Sequence, residues 1–224
     1  MDNNQNTFYS DIKPKKYYEW QRKEMLPYIP SDVTKVLDVG CGAGTFGSVL
    51  KENREVEVWG IEAFKDVAKE AMSRLDNVII GDIENGLISL PNDYFDCIIL
   101  NDVLEHLKNP WMVLKRLRDN LMERGYIIAS IPNVRYYENV KSLLLQKDWK
   151  YVDEGILDKT HLRFFTINSI HVLFQSSGYN LLHIEGINAA VFPWKLRLLN
   201  LVLLRALDDM RFLQFACVAK KKEI

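Results

Sequence analysis

Between positions 33 and 131, short apolar runs rich in β-branched residues alternate with stretches whose apolar positions recur at helical spacing. The runs at 35–39, 56–61, 77–80, 95–100 and 126–131 read as strands. The stretches at 45–52, 64–74 and 110–122 read as helices. Near-continuous apolar strands alternating with helices predict βαβ units, with a parallel sheet covered on both faces. Right-handed crossovers then make the sheet doubly wound, in three α/β/α layers.

Outside that core the pattern changes. Residues 15–28 read as an amphipathic helix with Pro14 at its start. After position 131 a short helical piece at 140–146 sits in a long polar and aromatic stretch. A helix at 167–177 then ends at Gly178, and strands at 181–184 and 212–219 flank a Leu-rich helix within 192–207. Neither repeats nor a low-complexity linker divide the chain. The expected organisation is one domain over 1–224: an N-terminal helix (1–32), a core (33–131), an insertion (132–166) and a C-terminal part (167–224).

Composition narrows the class. The 224 residues are 48% apolar and 26% charged, with a formal net charge of -1. That suits an ordinary globular chain with a substantial core and is a poor footprint for nucleic-acid binding. The one basic block is Lys220-Lys221-Lys222. No window reaches the ~18 consecutive apolar residues of a membrane span. The leader MDNNQNTFYS lacks the layout of a signal peptide. Cys41, Cys97 and Cys217 form no CxxC pair and are expected reduced, so the expected location is cytoplasmic. The Leu-rich segment FPWKLRLLNLVLLRAL reads as buried beneath the sheet edge or in a homodimer contact. Weak contact with an anionic membrane surface, through Lys195, Arg197 and Arg205, is the alternative.

The chemistry begins at 36–47, VLDVGCGAGTFG, a strand–loop–helix with Gly40, Gly42, Gly44 and Gly47. Glycines there allow a tight turn and close approach of a ligand to the backbone. Gly42, Gly44 and Gly47 alone satisfy GxGxxG, so a nicotinamide dinucleotide is a competing ligand. Two features weigh against it. Counting from Gly40, at the strand end, the third glycine position falls on Thr45; and Asp38 lies inside the strand, where a carboxylate repels pyrophosphate and suits an ammonium group. Glu62 follows the glycine loop by about 20 residues, the place of an acid that binds a ribose diol. Asp82 and Ile83, after the third strand, suit an adenine amino group and ring.

In this order, together with FDCIILNDVLEHLKNP at 95–110, these segments resemble the class I S-adenosylmethionine-dependent methyltransferase family. The resemblance implies a Rossmann-like, mostly parallel sheet with one antiparallel strand at its edge, at 212–219. It implies that the loop Gly40, Cys41, Gly42, Gly44 cradles the methionine part of S-adenosyl-L-methionine and that Asp38 supports its amino group. Glu62 would take the ribose, Asp82 and Ile83 the adenine, while Asn101 and Asp102 line the wall near the methyl group. SIPNVRYY at 130–137 and DEGILDKTHLRFFT at 153–166 resemble a bacterial subgroup associated with polysaccharide and nucleotide-sugar biosynthesis. YYEWQRKEML at 17–26 fits the same subgroup, with Tyr17 or Tyr18 as a lid over the cofactor or as core aromatics.

The expected reaction is methylation of a sugar or glycan hydroxyl. Another small metabolite as acceptor, or a catalytically silent cofactor-binding module, are the alternatives. Removing a hydroxyl proton calls for a general base, and histidine suits neutral pH. His161, in DKTHLRF within the insertion, is the favoured base; His106, closing VLEH, is the second. His171 and His183 read as structural or surface residues. No tight ligand spacing such as HExxH occurs, so no metal is expected. Asn101-Asp102-Val103-Leu104 stands where methyltransferases of nucleic-acid bases carry Asn/Asp-Pro-Pro-aromatic, a further argument against a nucleic-acid substrate.

Overall fold

A computed structural model describes residues 18–222. Seven strands form one sheet in the order β3-β2-β1-β4-β5-β7-β6. They are β1 (Lys35–Val39), β2 (Glu57–Glu62), β3 (Asn77–Ile80), β4 (Phe95–Asn101), β5 (Leu121–Pro132), β6 (Tyr179–Ala189) and β7 (Phe212–Lys221). Pairings among β1 to β5 are parallel. β7 runs antiparallel to both β5 and β6, so the one antiparallel strand is the expected segment. It lies one place inside the edge, with β6 outermost.

The helices are α1 (Thr45–Asn53), α2 (Lys65–Ala71), α3 (Pro110–Asn120), α4 (Tyr137–Lys141), α5 (Ile167–Ser176) and α6 (Trp194–Val202). Their ends are written locally. Asn109 accepts from Met112 N–H ahead of Pro110 at the start of α3, and Thr166 and Ser169 form a reciprocal capping box on α5. Period-two alternation sends Leu37, Ile98, Leu100 and Phe215 to one face, beneath Leu114 and Leu117 of α3 and Phe174 of α5. Val36, Cys97, Ile99 and Ala216 face the other way, onto Phe46 and Leu50 of α1. The central strands are thus buried on both faces and hold the loops at their C-terminal ends on a rigid base. All three cysteines are buried free thiols.

Three expectations need correction. The described part of 15–28 is not an α-helix but 3-10 turns, chiefly Lys23–Tyr28. Arg22 before it is left-handed at φ 45 and Pro27 lies inside it, and Met25 and Ile29 pin it to the core. The helical piece at 140–146 is instead α4 followed by a π-helical turn, Ser142–Gln146. The Leu-rich segment is not buried beneath the sheet edge: in the single chain Leu198, Leu201 and Val202 are 58%, 69% and 78% exposed. The buried residue of α6 is Asn200, which donates to Asp208 Oδ1 (2.6 Å) and accepts from Leu207 N–H (2.7 Å), so a polar position anchors the helix and the leucines face outward. No described helix is long and apolar enough to cross a membrane.

Candidate active site

A cleft of about 1680 Å³ opens at the C-terminal ends of β1, β2 and β4. Sites for one small ligand usually span roughly 300–1,000 Å³, so two molecules can meet in it. Its first wall is the glycine loop. Gly40 and Gly42 have φ of 69° and 55°, and a Cβ on Gly42 would stand 2.9 Å from the Tyr18 carbonyl oxygen. That same oxygen accepts from Ala43 N–H at 3.1 Å, so the N-terminal segment is stitched to the loop. The half-buried Tyr18 ring packs edge-on against Phe64, 6.0 Å between centroids, while burial, then Glu62, pushes its hydroxyl up to about 12. Cys41 lines the cleft with its thiol held protonated by burial. Gly44 does not line the cleft. It caps α1 at φ 76°, where a Cβ would come within 3.0 Å of Ala71 in α2, so it serves helix packing.

Two acids back this loop. Asp38 in β1 is buried, and burial, then the neighbouring Glu62, raises its carboxyl to about 7. Glu62 ends β2 and accepts from Gly42 N–H and Phe64 N–H, each at 2.9 Å. Burial raises its pKa and these backbone donors oppose the rise. A carboxylate accepts about four hydrogen bonds, which leaves Glu62 capacity for a diol. Asp82 accepts from Glu84 N–H (2.8 Å) and opens the turn Ile83–Asn85, placing Ile83 on the cleft wall. At the end of β4, neither amide atom of Asn101 has a hydrogen-bond partner among the described residues, although both are buried. An orphaned amide lining a cleft marks where a ligand completes the structure.

The opposite wall comes from distant segments. Asp102, left-handed at φ 54, receives hydrogen bonds from Gln214 of β7 (2.7 Å) and Ser130 of β5 (3.0 Å), and pairs with the buried Arg22. Next to it, the turn Leu104–His106 carries Glu105 and His106. The insertion docks there through Leu162 and Arg163, whose N–H groups donate to the Glu105 carbonyl at 2.8 and 3.0 Å. This brings His161 against His106, ring centroids 4.7 Å apart. His161 Nδ1 meets the Ile156 carbonyl at 2.9 Å and His106 Nδ1 meets the Thr160 carbonyl at 3.2 Å. Glu105 is 1% exposed with no hydrogen bond to its carboxyl among the described residues, and burial raises it to about 8.

One cleft therefore gathers Tyr18, Asp38, Gly40, Cys41, Gly42, Glu62, Asp82, Ile83, Asn101, Asp102, His106 and His161. Tyr17 lies outside the described residues. His183 is away from the cleft, 3.3 Å from Glu185 and stacked on Tyr28. The sequence marks none of Arg22, Glu105, Ser130 and Gln214 individually, although Arg22, Glu105 and Ser130 stand in the segments 17–26, 95–110 and 130–137 and Gln214 in the strand at 212–219.

Residues 13–184 match the family profile described as a methyltransferase domain. The chain belongs to the methyltransferase family. It is 30% identical over 138 residues to the bifunctional methionine biosynthesis protein MetXA/MetW of Rhodopirellula baltica, covering 50% of this chain and 22% of that protein. It is 27% identical over 175 residues to a ubiquinone biosynthesis O-methyltransferase of Coxiella burnetii, covering 73% and 72%. The crystal structure of a SAM dependent methyltransferase from Archaeoglobus fulgidus superposes with a TM-score of 0.66 at 21% identity, over 98% of this methyltransferase and 100% of that chain.

Proposed function

We propose that this methyltransferase moves a methyl group from S-adenosyl-L-methionine to a hydroxyl of a sugar or glycan. The observation that carries the proposal is that one cleft joins the Asp38–Gly42–Glu62 wall to the His106–His161 pair. Asp38 takes the donor's ammonium group, the Gly40–Gly42 backbone its methionine part, Glu62 the ribose diol, and Asp82 with Ile83 the adenine. Tyr18 closes over it, and Asn101 supplies the missing partner at the wall below.

When bound, the donor supplies an electrophilic methyl for in-line displacement. The protein then has to hold the acceptor oxygen ~3 Å away and aligned, and to relieve it of its proton. A backbone carbonyl only accepts, so the contact with Ile156 keeps the proton on His161 Nδ1 and leaves Nε2 as the basic nitrogen. His161 is accordingly the base, with His106 beside it. A polar rim of Glu24, Lys108, Glu154, Asn188 and Gln214 suits a hydroxyl-rich acceptor, as does the resemblance of 130–137 and 153–166 to the polysaccharide-associated subgroup.

A phenolic hydroxyl is the second reading. The Coxiella relative carries a ubiquinone-biosynthesis name, and Trp20, Leu107 and Leu162 give the same cleft an apolar patch. Purified protein with methyl-labelled donor, offered nucleotide-linked sugars, surface oligosaccharides and dihydroxybenzenes, separates the two by mass spectrometry. Label on a sugar oxygen supports the proposal; label on phenols alone replaces it with the second reading. Label on no acceptor, from protein that still binds S-adenosylhomocysteine, contradicts both.

A further inference from the structure

We propose that Glu105, His106 and His161 bind a divalent first-row transition cation, with an acceptor oxygen completing its coordination from the cleft. Each residue offers one ligating atom, and the three atoms lie within 4.8 Å of one another. Zn–N and Zn–O bonds of about 2.0–2.2 Å require the set to close by roughly an ångström, a matter of small side-chain rotations.

Two observations single out this cluster. Glu105 is 1% exposed, neither carboxyl oxygen has a hydrogen bond among the described residues, His161 Nε2 lies 4.0 Å away, and the Arg22 charge favours the ionised carboxyl. A carboxyl group buried without a hydrogen bond is costly, and a bound cation would offset that cost. Both imidazoles, moreover, direct Nδ1 at a backbone carbonyl, His161 at Ile156 and His106 at Thr160. That outer contact fixes the tautomer of metal-bound histidines and aims the Nε2 lone pair at the ion.

The donor set selects the ion. Two imidazoles and one carboxylate suit Zn²⁺, Mn²⁺, Fe²⁺ or Co²⁺, whereas Mg²⁺ and Ca²⁺ prefer oxygen alone. Three protein ligands leave a position open. Glu105 closes the cluster from behind while His106 and His161 line the cleft, so the open position faces the acceptor.

The inference rests on the proposed hydroxyl acceptor and deepens it. With a cation bound, His161 Nε2 is a ligand and no longer the base proposed above; the cation takes over that part by lowering the hydroxyl pKa. The O–H bond breaks with its proton passing to water, the O–CH₃ bond forms, the S–CH₃ bond breaks and its electron pair stays on sulfur. No oxidant or reductant is required. The expectation of no metal rested on local spacing, whereas these ligands join one dipeptide to a residue of the insertion.

The test uses chelator-stripped full-length protein titrated with Co²⁺ and, separately, Zn²⁺, read by visible absorption, elemental stoichiometry and melting temperature. One equivalent per chain, with ligand-field bands and a raised melting temperature, supports the site. Glu105→Gln and His161→Asn should each weaken binding at least 100-fold while S-adenosylhomocysteine still binds. Wild-type protein that binds S-adenosylhomocysteine but no stoichiometric metal overturns the proposal, as does metal binding indifferent to Glu105→Gln. Binding is read without acceptor, so one equivalent of metal in a protein that methylates no hydroxyl keeps the site and removes only the acceptor assignment. Full turnover in chelator overturns activation of the acceptor by the cation.

Discussion

On one side of the cleft, Asp38, the Gly40–Gly42 loop and Glu62 come from the ends of two adjacent parallel strands, and backbone N–H groups hold Glu62 in place. On the other, Arg22, Asp102, Glu105, His161 and Gln214 come from the N-terminal segment, β4 and the turn after it, the insertion and β7. The first wall is a local turn on a rigid sheet. The second is assembled from segments that meet only in the finished fold and contains a buried carboxyl with no hydrogen bond among the described residues. The first arrangement suits an invariant ligand bound by its backbone-facing groups; the second can change acceptor by changing its insertion.

The sharpest way to separate the walls is to damage one and assay the other. His161→Ala should lower turnover by roughly 10²–10⁴ with S-adenosylhomocysteine affinity unchanged by calorimetry; a parallel loss of affinity would show that the walls are not independent. Gly42→Val acts from the other side. A side chain there meets the Tyr18 carbonyl at 2.9 Å and sits at positive φ, a strain of about 1–3 kcal/mol, or roughly 5- to 150-fold in donor affinity. Unaltered donor affinity in that variant would remove the glycine loop from the site.

Asp38 makes the first wall pH-sensitive. Its folded pKa of about 7 stands above the ordinary 3.8, so between those values the folded protein holds a proton that the unfolded chain has lost. Stability contributed by this group therefore falls as pH rises across that window. On the proposed role of Asp38, donor binding runs the other way, because an ammonium group wants the ionised form. S-adenosylhomocysteine affinity should rise by up to about tenfold per pH unit below 7 and level off above it, and Glu62, also raised by burial, adds in the same sense. Asp38→Asn should flatten both profiles; a steep profile surviving that substitution would assign the proton elsewhere.

How legible each wall was follows from the same contrast. Strand and helix periodicity, the in-strand Asp38 and the spacing to Glu62 are local signals, and all fall where the sheet places them. Residue type alone points to His106 and His161, but their contact depends on the insertion docking on the Glu105 carbonyl, which no spacing encodes. Arg22 escaped notice because 15–28 looked helical, while left-handed Arg22 and internal Pro27 unwind it. For the opposite reason the Leu-rich segment does not pack beneath the sheet edge, since apolar periodicity there describes a face that the single chain leaves outside. The smallest predicted effect follows: Leu198→Asp should alter stability by no more than about 0.5 kcal/mol, and a loss well beyond that in thermal unfolding would mean the face is covered.

Transfer of label from methyl-labelled S-adenosyl-L-methionine, followed in wild type and His161→Ala with the acceptor panel, bears most directly on the division between the walls. The expected result is label on an acceptor oxygen in wild type and its near-loss in the variant, both proteins binding S-adenosylhomocysteine equally. Equal transfer by the two proteins would contradict it.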